Sequence, residues 1–468
     1  MQRVLNWLQG SVAIAVLSVA CLVLPIGKHD AWAANRLVNE LSFGLEQSEF
    51  LTDSYSSNES NSYTRFFSKM SFSTQSNYHG SYGDLRWAVI DGKGVDQLFA
   101  APELYYYVQS DDDVFLFEAG RVKKDWSLFD QFWSFGTWQP ILSWGNVYGD
   151  QQGLTGLFLT MQVRQIRLLG FVSGVFLPSQ GSQVEVKDGK VISQDRWYND
   201  PITQLEFSGE NSAIYYELQE VDYQKILSQW SYGVQVAVGS PHSEGFLLAS
   251  MASKPLNQLY IGIDGSHDIS DGPQGLSTVV QLHPLVARHR VGTIETGFSG
   301  DDYRLWVSMT HDRPEEPIVD DRWMKTPLLA STLVGAHLSL DQAFRLPGSW
   351  AVGYMRKIDE ERLVGEDLVG NAAANAFERI PFDEAWSFLW NTRAGNWRSN
   401  HFSLGLRYLF APTVQGSLLS GTVRYLADSH WTAFFNFDVV GSQGHSQGEY
   451  FFRNQGNDRV QLGVTYVF

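Results

Sequence analysis

The stretch that decides the fold is "NDRVQLGVTYVF", residues 457–468. Read backwards from Phe468, apolar residues recur at every second position: Tyr466, Val464, Leu462 and Val460. Arg459, Gln461, Gly463 and Thr465 between them are polar or small, and Val467 is the exception. A period of two is a β-strand with one apolar face. An apolar face carried as far as Phe468, with no polar tail to solvate it, calls for an apolar surrounding.

The pattern repeats upstream. In "NHFSLGLRYLF" the apolar set is Phe402, Leu404, Leu406, Tyr408 and Phe410; in "HWTAFFNFDVV" it is Trp431, Ala433, Phe435, Phe437 and Val439. "QWSYGVQVAVG" gives Trp230, Tyr232, Val234, Val236 and Val238. Strands of soluble sheets average about five or six residues, whereas each of these runs is 11 residues long and tends to carry aromatic residues at its ends. That length, with terminal aromatics, fits an all-β, closed antiparallel transmembrane β-barrel, whose closure leaves no backbone polar group facing lipid.

Composition agrees. Only 18% of the 468 residues are charged and 14% are aromatic, with 42 glycines, where an ordinary soluble protein carries about a quarter charged residues. The formal charge of −17 argues against a nucleic-acid partner. Cys21 is the sole cysteine, so no disulfide framework or thiolate metal site is expected, and no cofactor. Residues 1–33 read as a signal peptide. Arg3 precedes the apolar run Val12 to Gly27, and Ala31, Trp32 and Ala33 make a small-x-small cleavage site. The run is short of the roughly 20 residues a spanning helix needs. Residues 34–468 are then the barrel, of about 20 strands (18–22).

Bacterial barrels have long external loops and short periplasmic turns. Long connections are expected at 48–62, 123–152, 178–200, 312–328, 359–382 and 442–456, all on one side of the alternating strands. That side is expected to be external.

The chain resembles Gram-negative outer-membrane β-barrel proteins of the porin-like kind. Tyr466 and Phe468, with apolar residues at alternate positions upstream, match the terminal pattern that such proteins present to the barrel assembly machinery. The resemblance implies integral residence in the cell outer membrane, with membrane lipid and lipopolysaccharide as surroundings, and a homotrimer is compatible with it. The implied function is passive transport of small hydrophilic solutes. An export conduit for an acidic polysaccharide and a non-conducting surface or adhesion barrel stand as alternatives.

If the apolar set faces lipid, its alternates face the lumen. That rule points Arg86, Arg164, Arg167, Arg290, Arg304, Arg393, Arg407, Arg424 and Arg459 inward, against fewer acids: Glu118, Glu206, Glu217, Asp264 and Asp438. Two readings follow. An arginine at midplane on the lipid face costs about 2–4 kcal/mol, so inward placement with acids or carbonyls as partners needs no function. Rings of arginine also favour anions, and guanidinium forks match carboxylate, so the pore is read as suited to anionic or sugar-like solutes.

The densest aromatic stretch, within 125–150, carries Trp126, Phe129, Trp133, Trp138 and Trp144. Trp126, Phe129 and Trp133 are spaced for one helical face. The stretch is too apolar for an exposed loop, so it is expected to fold inward over the pore or lie along the rim. It forms either a packed constriction or a surface on which sugar rings stack. No enzyme is expected. Hydrolysis needs a serine within reach of an oriented histidine, and neighbours such as His242 with Ser243, or His311 with Asp312, point to opposite faces of a strand.

Overall fold

The computed structural model describes residues 38–53, 59–76, 78–144, 148–182, 184–197, 201, 203–207, 210–240, 245–268, 277–315, 329–341, 348–362, 380, 382–397, 400–443 and 450–468. The expected signal peptide lies outside the described residues. So does His242 with Ser243.

Eighteen strands form one closed antiparallel sheet. They are β1 (Val38–Phe50), β2 (Ser62–Gln75), β3 (His79–Asp91), β4 (Val95–Gln109), β5 (Phe115–Val122) and β6 (Leu154–Val163). Next come β7 (Ile166–Ser173), β8 (Ser231–Gly239), β9 (Gly245–Pro255), β10 (Arg288–Ser299), β11 (Tyr303–Glu315) and β12 (Leu329–Asp341). The circuit ends with β13 (Ser349–Arg362), β14 (Glu384–Trp397), β15 (Asn400–Ala411), β16 (Gly416–Leu426), β17 (Trp431–Ser442) and β18 (Arg459–Val467). β18 closes on β1 in register from Ser42 opposite Val467 to Phe50 opposite Arg459. The closing strand therefore has a partner on both sides, and the sheet has no edge.

The count sits at the low end of the expected range for a definable reason. The runs at 204–207, 210–218, 260–268 and 277–285 pair with one another in a separate four-stranded sheet, with 210–218 parallel to 277–285. They have four to nine residues each, at or below the roughly 9–11 that a tilted strand needs to cross the bilayer. Glu206, Glu217 and Asp264 belong to this sheet. Their expected place in the barrel lumen is thus corrected: the alternation is that of a strand, but not of a wall strand.

Alternation along the wall follows the sequence. On β8, Tyr232, Val234, Val236 and Val238 are exposed while Ser231, Gly233, Gln235 and Ala237 are buried. Leu406, Tyr408 and Phe410, and likewise Leu462 and Val464, also present their side chains outward. The exposed apolar face is a lipid-facing band, since water would leave it uncompensated. Aromatic residues rim it. At the chain-terminal end Trp350 stacks on Trp390, and Trp431, Tyr466 and Phe468 cluster edge to face. At the other end Trp230 and Tyr232 stand exposed. Such belts mark the two membrane–water interfaces.

Connections at the chain-terminal end run from two residues (164–165) to seven (342–348). The long ones, 51–61, 123–153, 174–230, 256–287, 316–328, 363–383 and 443–458, all leave the opposite end. The two longest, 174–230 and 256–287, supply the separate sheet.

Candidate functional site

The connection between β5 and β6 turns into the barrel and crosses it. Its centre is a short helix, α1 (Leu128–Trp133), capped at Ser127 and ended by Ser134 in the left-handed conformation at φ 55°. The Asp130 carboxylate accepts from the backbone N–H groups of Thr137 and Trp138 at 2.9 and 3.0 Å, folding the following turn back on the helix. Burial pushes the Asp130 carboxyl above its usual range, opposed by those two N–H donors and by the charge of Lys254. Six residues do not hold a helix in water, so the fold of this segment depends on the wall around it.

The wall supplies named anchors. Glu295 on β10 accepts three hydrogen bonds at the helix start: from Ser127 Oγ at 2.7 Å, Leu128 N at 2.8 Å and Phe129 N at 3.0 Å. A carboxylate at a helix N-terminus satisfies donors that have no intrahelical partner. Gln235 on β8 donates to the Asp125 carbonyl at 2.7 Å and Ser250 on β9 to that of Trp126 at 2.6 Å. Trp138 Nε1 donates to Thr293 Oγ1 at 2.9 Å. Across the lumen, Arg407 on β15 donates to the Phe132 carbonyl at 2.8 Å and lies 3.8 Å from the Tyr148 ring centroid.

Further along the segment, Trp144 Nε1 donates to Asp96 on β4 at 3.3 Å, and its ring meets Tyr63 on β2 edge to face. Asp150 pairs with Arg86 on β3 at 2.9 Å. Contacts on walls this far apart around the circuit mean that the segment bridges the lumen.

Packing completes the bridge. Phe129 and Trp133 share a buried cluster with Trp306, Leu333, Met355 and Leu409 from the facing wall. Gly335 on β12 and Gly353 on β13 make room for it, since a Cβ there would collide with the rings of Phe129 and Phe132 respectively. Trp126 stacks on Trp138 at 5.5 Å and an interplanar angle of 4° in a second cluster with Phe158, Phe171 and Val291. Trp126 precedes α1, so only Phe129 and Trp133 of the expected face are helical. Trp126, Phe129, Trp133, Trp138 and Trp144 are all at most 5% exposed. Their ring faces are spent on packing, which leaves no stacking surface for a sugar on these five residues. They pack the inserted segment against the wall.

The arginines divide by position. Arg86 faces inward against Asp84 and Asp150 at 2.9 Å each, Arg167 reaches Gln235 at 3.1 Å, and Arg304 lies on the inward face of β11, half-buried. Arg459 is buried, 2.7 Å from Asp438 and 3.1 Å from the Tyr63 hydroxyl. Arg407 holds the inserted segment. Two expectations are corrected. Arg164 sits in the two-residue turn between β6 and β7 with φ 55° and is exposed at the barrel end, not in the lumen. Arg290 points outward, because on β10 the inward face is made by His289, Val291, Thr293 and Glu295. Both faces of that strand carry apolar residues, so alternation alone chose the wrong one.

Arg393 and Arg424 stand apart. They lie on the inward faces of β14 and β16 toward the chain-terminal end and are exposed. Ser403 on β15 is the cross-strand partner of both. Two strand spacings, roughly 10 Å, separate their backbones. Neither has an ion pair or hydrogen bond among the described residues.

The sequence reading missed inward groups. Arg65 and Lys69 on β2 face inward, Lys69 paired with Glu40 at 3.2 Å. Glu46, Asp84, Glu103 and Glu295 are inward acids, Glu118 and Asp438 being inward as expected. The outward set Phe43 and Leu45 already implied Glu46. For Glu295 no such signal exists, since its neighbours Ile294 and Thr296 do not distinguish the faces. His311 is exposed on the outer wall while Asp312 is buried 2.7 Å from His289, so the neighbours His311 and Asp312 form no dyad.

A closed barrel with a lipid-facing band, two aromatic rims and all its long connections at one end has one residence. It is an integral outer-membrane barrel. No family model and no curated protein matches the chain. Among solved structures it is similar to OccK11 (OpdR) of Pseudomonas aeruginosa, with TM-score 0.43 and 10% identity over 92% of this chain and 95% of that one. It is similar to Pseudomonas aeruginosa OccK5 (OpdH) with TM-score 0.41 and 10% identity over 92% and 97%. A mutant of the Rh. blastica porin gives TM-score 0.40 and 9% identity over 92% and 100%. Likeness this loose leaves function to the barrel's own geometry.

Proposed function

We propose that the protein is a passive channel for small hydrophilic solutes, with a preference for anions, sugar acids among them. The observation that carries this reading is the pair Arg393 and Arg424, inward, exposed and without a counter-charge among the described residues. The other inward arginines support it less, because Arg86 and Arg459 are neutralised by acids and Arg407 is committed to the inserted segment. In this reading the long connections are external, the constriction at 125–150 selects by size, and the arginine pair lines the periplasmic vestibule. Tyr466 and Phe468, outward at the chain-terminal rim, are proposed as the signal for insertion by the assembly machinery.

Reversal potentials in a salt gradient across a planar bilayer test the preference. A unit charge about 4 Å from an ion's path in water is worth about 1 kcal/mol, a factor of roughly five. The native channel is expected to favour chloride over potassium, and Arg393→Glu with Arg424→Glu to reverse that order. Cation preference in the native protein, or no change in the double variant, rejects the anion reading.

A further inference from the structure

Arg290 and Arg313 put two like charges side by side on the outer wall. They are directly opposite one another on β10 and β11, and both are exposed on the outer wall. Like charges opposed across an antiparallel pair are about 4.5–5.5 Å apart at Cβ and destabilise it. Glu315 relieves one of them, lying 2.9 Å from Arg290 Nε. Arg313 has no ion pair or hydrogen bond among the described residues. Arg288, half-buried on the same outer face, is taken up by the Trp230 carbonyl at 2.6 Å and Ser253 at 3.2 Å. Three arginines therefore share one described acid, in a chain whose formal charge is −17. Elsewhere on this rim the exposed outward residues include acids, Glu49 on β1 and Asp91 on β3.

Height identifies the surroundings. Outward on β11, Tyr303, Leu305, Val307 and Met309 are apolar, and His311 and Arg313 follow. Ten residues at about 3.3 Å rise, tilted about 40°, place Arg313 roughly 25 Å from the Tyr303 rim, the height of an apolar band. Exposed Trp230 and Tyr232 mark the interface beside it. The arginines thus stand at headgroup level, one cross-strand pair (Gly292 and His311) above an apolar strip of Ile294, Val307 and Met309.

We infer that Arg290 and Arg313 form a lipid-phosphate site on the outer wall, taking the phosphate of an outer-leaflet glycolipid whose acyl chains lie along Ile294, Val307 and Met309. Guanidinium forks match phosphate oxygens bidentately, and a shared dianion turns the repulsion between the two arginines into attraction. The glycolipid source rests on the long connections being external, and not on the pore conducting.

The test uses the purified full-length barrel in detergent, with native mass spectrometry of its complexes with diphosphoryl lipid A and, separately, phosphatidylglycerol. Lipid A is expected to be retained in preference. Arg290→Gln with Arg313→Gln should weaken its binding about tenfold, the scale of a lost charge-assisted contact, and Glu315→Gln should strengthen it. Arg313→Glu, which can pair with Arg290, serves as a second variant should the first not fold; heat-modifiable mobility reports folding. Undiminished lipid A binding by a folded variant overturns the site. Equal or better retention of phosphatidylglycerol by the native protein overturns the glycolipid assignment.

Discussion

Replacing residues 124–152 by a four-residue turn is expected to raise single-channel conductance several-fold while the barrel remains folded. The geometry permits the excision, because Val122 and Leu154 are already direct cross-strand partners. A short turn can join β5 to β6 there as it joins β6 to β7 over two residues, 164–165. What goes is the bridge: α1, the stacked Trp126 and Trp138, Trp144 and the Arg407 anchor. What stays is the wall ladder, which does not use the segment for any barrel strand pairing. The shortened barrel should denature more easily, since each buried large side chain contributes about 1.5–3 kcal/mol. Conductance in planar bilayers reads the result. An unchanged value in a folded variant means that the ion path does not pass the segment.

The second large effect is expected from Glu295→Ala. The carboxylate takes three hydrogen bonds from Ser127, Leu128 and Phe129, and its removal strands two backbone donors and a hydroxyl in a buried place. Removing one partner of a buried charged contact costs about 3–5 kcal/mol. Gln235, Ser250, Thr293 and Arg407 still hold the segment, so it is expected to fluctuate rather than leave. The record should show flickering toward a larger conductance, and amide exchange over 127–134 should rise. Glu295→Gln keeps a carbonyl acceptor and should be milder. If the native, Gln and Ala channels are equally quiet, Glu295 is not the latch.

The two expectations differ in how far they could be read from the chain. That 125–150 should leave the solvent was legible: four tryptophans and three phenylalanines between 126 and 144 have no place in an exposed loop. That Glu295, some 166 residues from Phe129, would receive its helix was not. Nothing local to "GTIETGF" marks Glu295, since its role is fixed by which residues of another strand's connection arrive beside it. Arg290 shows the same limit from the other direction. Val291 faces a packed lumen, so an apolar residue there does not mean lipid, and the rule that worked for Leu462 and Val464 failed.

The sequence by itself determined the class, the closure and the orientation of most wall residues. Period two over runs of 11 residues, aromatic ends and an apolar face kept to Phe468 are local properties, and lipid on one side of a strand dictates them. Tertiary structure alone decided that two hairpins leave the wall, that the lumen is bridged, and which arginines keep their charge uncompensated. Those depend on cross-strand neighbours dozens to hundreds of residues apart. In "NDRVQLGVTYVF" both kinds of information meet: alternation sent Arg459 inward, and the fold gave it Asp438 and Tyr63.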